Sequence, residues 1–277
     1  MRLPIALLAA GAAMMTAGAA QAAMVEIRDA VARVTVIPEN RSDIKVELVR
    51  TNPRLPLQIR TVADRTIIDG DLERKIRSCR GAAPNASVEV RGVGEIGWAD
   101  MPQVVVRTPR DAVVDAEGAV FGSVGRSASL ELENAGCGDW TVANVEGRLR
   151  VSQAGSGDTR TGTAGSARIR IAGSGDVATA AVRGGLDVNI AGSGNVAAAS
   201  VSGPLDVSIA GSGDVKVDGG RASVMTVSVA GSGDVDFDGV ADSLKARIAG
   251  SGDINVKQVR GEISRSVMGS GAIHVGN

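Results

Sequence analysis

The chain has 277 residues, a formal charge of −1, one histidine and two cysteines. A balance this close to neutral gives no electrostatic case for binding nucleic acid or an anionic membrane. Two Trp, two Phe and no Tyr leave little material for stacking platforms that read sugars or bases.

The N-terminus reads as an export signal. Arg2 supplies the positive charge, Ile5 to Ala20 is apolar and alanine-rich, and Ala20-Gln21-Ala22 is a small-x-small cleavage site. Residues 1–22 are therefore expected to be removed, leaving a mature chain that begins near Ala23. Loss of Arg2 takes the formal charge from −1 to −2. The apolar run is short for a spanning helix, and no later stretch suits one. No cysteine lies near the cleavage site, which speaks against a lipid-anchored form.

Residues 23–110 are β-like but irregular. Val34-Thr35-Val36, Ile44 to Leu48, Leu57-Gln58-Ile59 and Val88-Glu89-Val90 alternate apolar with polar, the period of a half-buried strand. Pro38-Glu39-Asn40 and Asn52-Pro53 read as turns. Asp71 to Arg80 is the best candidate for a short helix, and Gly92 to Met101 reads as a loop.

A regular array occupies 111–277. Gly155-Ser156-Gly157-Asp158 returns at Gly173, Gly192, Gly211, Gly231, Gly250 and Gly269, after a divergent first copy, Gly136-Cys137-Gly138-Asp139. The steps between first glycines are 19, 18, 19, 19, 20, 19 and 19 residues. Six, four and two residues before each first glycine the residues are mostly aliphatic, as in Leu205, Val207 and Ile209, with polar residues between them. A second strand follows the motif at Val177, Val196, Val215, Val235, Ile254 and Ile273. A third apolar point falls at Val145, Val182, Val201, Val240 and Val259. Glu117 to Phe121 reads as a degenerate coil before the first clear one. Three short edges make a coil of about nineteen residues that buries its interior only by stacking on its neighbours. The fold class is therefore all-β, a parallel β-solenoid about 38 Å tall over eight coils, from a strand spacing of roughly 4.8 Å. Met268 and Arg265 replace the usual alanine and aliphatic in the last coil, which suggests an end cap.

The motif itself reads as a corner. Glycine allows positive φ and close backbone approach, and Ser and Asp bond neighbouring backbone groups. The competing reading is calcium held by stacked carboxylates. Against it, the period is nineteen rather than nine, and Asn195 and Ala272 replace Asp. Cys79 and Cys137 are expected to form a disulfide in an exported chain, stabilising by about 4 kcal/mol on the loop-entropy account. The alternative is a pair of buried thiols. Cys137 stands in the serine column, so the bridge would tie the N-terminal part to the first clear coil.

The Gly-Ser-Gly-Asp coils with Leu-x-Val-x-Ile before them resemble the head GIN domain family of auto-transporter adhesins, bacterial exported domains of unknown function. The resemblance covers about 108–274 firmly and extends towards Val31. It implies a right-handed parallel β-helix and suggests adhesion. No barrel-like segment follows Val275-Gly276-Asn277, so self-export through an outer membrane is not expected.

No catalytic, cofactor-binding or metal-binding residues are assigned from the sequence, and no cofactor is expected. His274 falls at an outward position. Asp236 with Asp238, and Asp234 with Asp253, are spaced by the repeat itself, so their pairing says little about acid–base chemistry. Arg74 to Arg80 reads as a solvated face, and Thr159, Thr161 and Thr163 do not make the flat threonine column of an ice binder. Coils of 18 to 20 residues leave little room for a lid or groove. The expected function is that of an exported, non-catalytic structural or adhesin-like module with an envelope or surface partner. It would be periplasmic, outer-surface or secreted. The alternatives are a polysaccharide-acting β-helix enzyme and a calcium-binding solenoid. A third reading is self-assembly into an oligomer through the coil ends or the N-terminal segment.

Overall fold

The computed structural model describes residues 23–276, so the expected signal segment, residues 1–22, lies outside the described residues. The chain enters on β1 (Met24–Glu39), followed by β2 (Lys45–Arg50), β3 (Gln58–Val62) and β4 (Arg65–Asp69). Next come β5 (Ile76–Arg80), β6 (Ser87–Val90), β7 (Gly94–Gly97), β8 (Gln103–Pro109), β9 (Asp111–Val124) and β10 (Ser129–Gly136). From β9 onward each coil pairs in parallel with the next. Leu186 to Gly192 lies beside Leu205 to Gly211, and that segment lies beside Met225 to Gly231. The predicted parallel β-solenoid is the observed fold.

The alternation read from the sequence is the alternation of burial. On the first edge Leu205, Val207 and Ile209 are buried, as are Leu186, Val188 and Ile190 one coil earlier. Stacking in register leaves these side chains no water-exposed neighbour inside the coil. Truncating one such leucine to alanine costs about 2–5 kcal/mol in a close-packed core. On the second edge Trp140 stands in the valine column and lies opposite Gly122. A Cβ on Gly122 would run into the indole ring, so the absent side chain makes room for the large one. Beside it, Asn134 and Gln153 occupy inward positions that are aliphatic elsewhere. Asn134 Nδ2 donates to the Gly138 carbonyl at 2.8 Å, and Thr159 Oγ1 donates to Gln153 Oε1 at 2.9 Å.

Length changes avoid the glycine corner, and one register slip, between Phe237 and Val240, falls between the second and third edges. The 18-residue step removes a residue where the register shifts between Val145 and Arg148. The 20-residue step adds one where it shifts between Gly203 and Leu205 on one coil and between Ala222 and Met225 on the next. Both lie in the turn from the third edge back to the first. There the extra Val224 swings outward and is 51% exposed.

The glycine corner tolerates no such slack. At Gly211 φ is +143°, and a Cβ there or on Gly213 would land on the carbonyl oxygen of the matching glycine one coil earlier.

The N-terminal part is less regular, and its order in space departs from its order in sequence. β1 pairs in parallel with β9 on one side. On the other side it pairs with β4 along its first half and with β8 along its second. β3 and β2 close that end by pairing antiparallel with β4 and β8. Reversal of direction ends the parallel stack. The expected helix over Asp71 to Arg80 is not formed: Glu73–Lys75 is a single 3-10 turn and Ile76–Arg80 is β5. The expected loop over Gly92 to Met101 contains β7 and a second 3-10 turn, Trp98–Asp100. β5, β6 and β7 form a three-stranded antiparallel meander. Pairing with β6 overrides the weak helical pattern of β5.

The meander packs against the outside of the solenoid. Val88, Val90 and Ile96 join Val31, Ala119 and Phe121 in a second apolar cluster. Val31 and Ala119 stand in register in the column that holds Cys137 and then exposed serines. The column is apolar where the meander covers it and polar where it meets water. Cys79 on β5 is bonded to Cys137, with Cα atoms 6.1 Å apart, so the bridge pins the meander to the first full coil.

The expected end cap is not formed. Met268 is 75% exposed, because its position just before the glycine points outward and cannot fold over the core. Arg265 is exposed as well, and Ile263 and Val267 are 39% and 44% exposed.

Gly213→Ala is expected to cost about 1–3 kcal/mol through forced backbone displacement. Ser212→Ala, one residue away and exposed, should stay within about 0.5 kcal/mol. Urea unfolding of the two variants checks this.

Candidate functional site

Two surfaces stand out on the solenoid: the repeated aspartate corner and a groove beside the meander. At the corner, the serine amide donates to the carbonyl of the preceding coil's first glycine, as Ser212 does to Gly192 at 3.0 Å. Two residues later the chain is turning, and the aspartate amide is met by a side chain of the coil before. Asp214 N–H donates to Asn195 Oδ1 at 2.9 Å, and Asp234 N–H donates to Asp214 Oδ1 at 2.8 Å. The same bond joins all seven steps from Asp139 to Ala272. This accounts for both exceptions. Asn195 keeps an acceptor oxygen, and Ala272 donates its amide to Asp253 with no described coil beyond it to serve. Among the described residues no group of three or more His, Cys, Asp or Glu is arranged to hold a metal ion.

The side chains singled out in the sequence are not brought together. Asp234 and Asp253 are consecutive rungs of this ladder. Asp236 accepts from Asn255 Nδ2 at 2.8 Å, while Asp238 and His274 are exposed. Arg74 and Arg80 are exposed, and Thr159 points into the core.

A tighter acidic group, missed in the sequence, lies on the outer face of the first edge. Glu26, Asp115 and Glu133 stand directly in register on three successive strands. Burial, then Glu133, Glu26 and Glu117, push the Asp115 carboxyl above its ordinary value, and Arg65 offsets part of this. Glu26 is relieved by ion pairs with Arg28 at 3.3 Å and Arg65 at 3.1 Å.

The groove holds about 350 Å³ and lies between the meander and the outer face of the second edge. Its wall is the Ala82–Ala83 loop and Trp98; its floor crosses several coils. Trp98 and Phe121 meet edge to face with centroids 5.5 Å apart. The Arg33 guanidinium lies over the Trp98 ring at 5.1 Å and donates from Nη2 to Gln103 Oε1 at 3.3 Å. Its Nε is buried without a partner among the described residues. Thr35, Ser123 and Thr141 form a hydroxyl column in register on adjacent strands, and Arg160 follows it. Coil lengths alone suggested no room for such a groove. The wall comes instead from residues about 20 to 80 positions away in the chain. The available signal was the loss of serine at Ala119 and Cys137, which marks where another segment covers the corner.

The profile of the family described as "Putative auto-transporter adhesin, head GIN domain" matches residues 101–220 and 183–277. The chain belongs to this family. No curated protein matches the sequence. Among solved structures, the crystal structure of a protein described as a putative lipid binding protein from Parabacteroides distasonis aligns with a TM-score of 0.54 at 19% identity, covering 92% of each chain. At that identity the likeness concerns the fold. A protein described as a putative cell adhesion protein from Clostridium sporogenes aligns at 8% identity with a TM-score of 0.22, covering 92% of each chain, and carries no argument. No helix among the described residues of this head GIN domain protein is long and apolar enough to cross a membrane.

Two outcomes are expected from the carboxylates. Asp214→Asn should match the parent protein, whereas Asp214→Ala, which strands the Asp234 amide, should cost about 1 kcal/mol. Asp115→Asn should raise the melting temperature at pH 7. A carboxyl whose folded value is raised opposes folding once ionised, so the gain should appear as pH rises above the ordinary carboxylate range and vanish below it. Thermal unfolding of the variants between pH 3 and pH 7 checks both.

Proposed function

We infer that this chain is an exported, non-catalytic interaction module of the bacterial envelope, presenting a rigid stacked surface to a partner. The aspartate ladder carries the reading. The array commits its repeated carboxylates to amides of neighbouring coils, which fixes the corner and leaves them poorly placed for proton transfer. A general acid or base needs a carboxyl facing a substrate within hydrogen-bond reach. Membership of an adhesin-described family and the export signal of residues 1–22 support the same reading. They point to a site of action in the periplasm, on the outer surface or outside the cell.

A polysaccharide hydrolase would need paired carboxyls across a cleft, and the groove floor carries Asp139 alone among acids. The calcium alternative has to take oxygens already accepting amide bonds. The purified mature protein is expected to co-sediment with isolated bacterial envelopes and to release no reducing ends from a panel of polysaccharides. Release of reducing ends by the purified protein would overturn the non-catalytic reading, and failure to sediment with any envelope fraction would overturn the interaction reading.

A further inference from the structure

We propose that the groove beside the meander binds an extended acidic glycan, a run of uronic acid units laid along the solenoid axis. This names the ligand class for the interaction module inferred above and rests on that reading.

The floor of the groove is periodic. Thr35, Ser123 and Thr141 come from adjacent strands of the second edge, so their hydroxyls repeat at the strand spacing of about 4.8 Å. That spacing is close to the length of one pyranose unit in an extended chain, so successive sugars meet successive hydroxyls in the same way. The groove is open and crosses several coils, which suits a chain rather than a compact molecule. Cations mark both ends of the floor, and its one acid, Asp139, has Oδ1 taken up by the Asp158 amide. Arg33 stands at one end, its guanidinium plane held by Trp98 and Gln103. Arg160 stands at the other, exposed and outside the ion pairs among the described residues. Arg160 can meet a carboxylate with two donors at once, while Arg33 adds a fixed positive charge. The aromatic wall adds an apolar edge for the C–H face of a sugar.

The chain's two phenylalanines and two tryptophans are otherwise core residues. Trp140 and Phe237 are fully buried, and Phe121 supports Trp98 at the groove. Trp98 is the partly exposed member, so it stands as the optical reporter of the site. An anionic lipid surface would share the charge chemistry but needs apolar depth for acyl chains, and the floor here is hydroxyls and charge.

The full mature protein is titrated with an oligogalacturonate of four units, a neutral oligosaccharide of the same length, and phosphatidylglycerol vesicles, following Trp fluorescence and calorimetric heat. The oligogalacturonate should change the Trp98 signal and bind at least ten-fold more tightly than the neutral chain. Arg160→Gln, on an exposed position, should weaken it about ten-fold with the melting temperature unchanged. Trp98→Phe should remove the fluorescence change while Trp140 still reports a folded core. Equal affinity for acidic and neutral chains, full affinity in Arg160→Gln, or no binding of the oligogalacturonate would overturn the proposal. So would vesicle binding that depends on Arg160 while the oligogalacturonate is ignored. Loss of glycan binding with envelope co-sedimentation intact would refute this site and leave the interaction reading standing.

Discussion

The hydrogen bond from one aspartate amide to the carboxylate of the coil before is the constraint on which the architecture turns. A parallel stack is straightforward along its edges, where each amide finds a carbonyl on the neighbouring strand. Corners are harder, because the backbone changes direction and its groups leave the ladder. Here the glycines let successive corners approach until backbone nearly touches backbone, and the aspartate supplies the acceptor that the turning chain has lost. Closeness and satisfaction require each other. A larger residue at either glycine would push the corners apart and lengthen the aspartate bond as well.

Repetition of that corner sets the dry interior. Once corners align, strands align, and the columns of leucine, valine and isoleucine follow in register. The departures from uniformity come in matched sets. Trp140 sits over Gly122, and Asn134, Gln153 and Thr159 share hydrogen bonds inside the core. The serine column turns apolar at Val31 and Ala119 where the meander lies over it.

The array was readable from residue identity because each coil repeats the same physical problem. Eight near-copies of one solution make the inward columns, the second strand and the turn plain. The N-terminal part yielded its strands at Val34 to Val36, Ile44 to Leu48 and Val88 to Val90, but not their arrangement. The insertion of β1 between β9 and the pair β4 and β8 depends on returns of the chain from Arg65 and Val113 to Met24, and alternation carries no record of those returns. The groove was hidden for the same reason: Trp98 and Arg33 are neighbours only after the meander docks. The expected end cap fails because the size of Met268 does not say which side of the strand it faces, and that side is outward.

The solenoid has one rigid corner, and its slack is greatest at the turn between the third and first edges. There the chain already gains or loses a residue without disturbing the columns on either side. That asymmetry separates variation from support. New loops, and with them new recognition, can be grafted at positions such as Val224 while the scaffold beneath keeps its pitch. A lineage of such proteins could therefore diversify along a single seam.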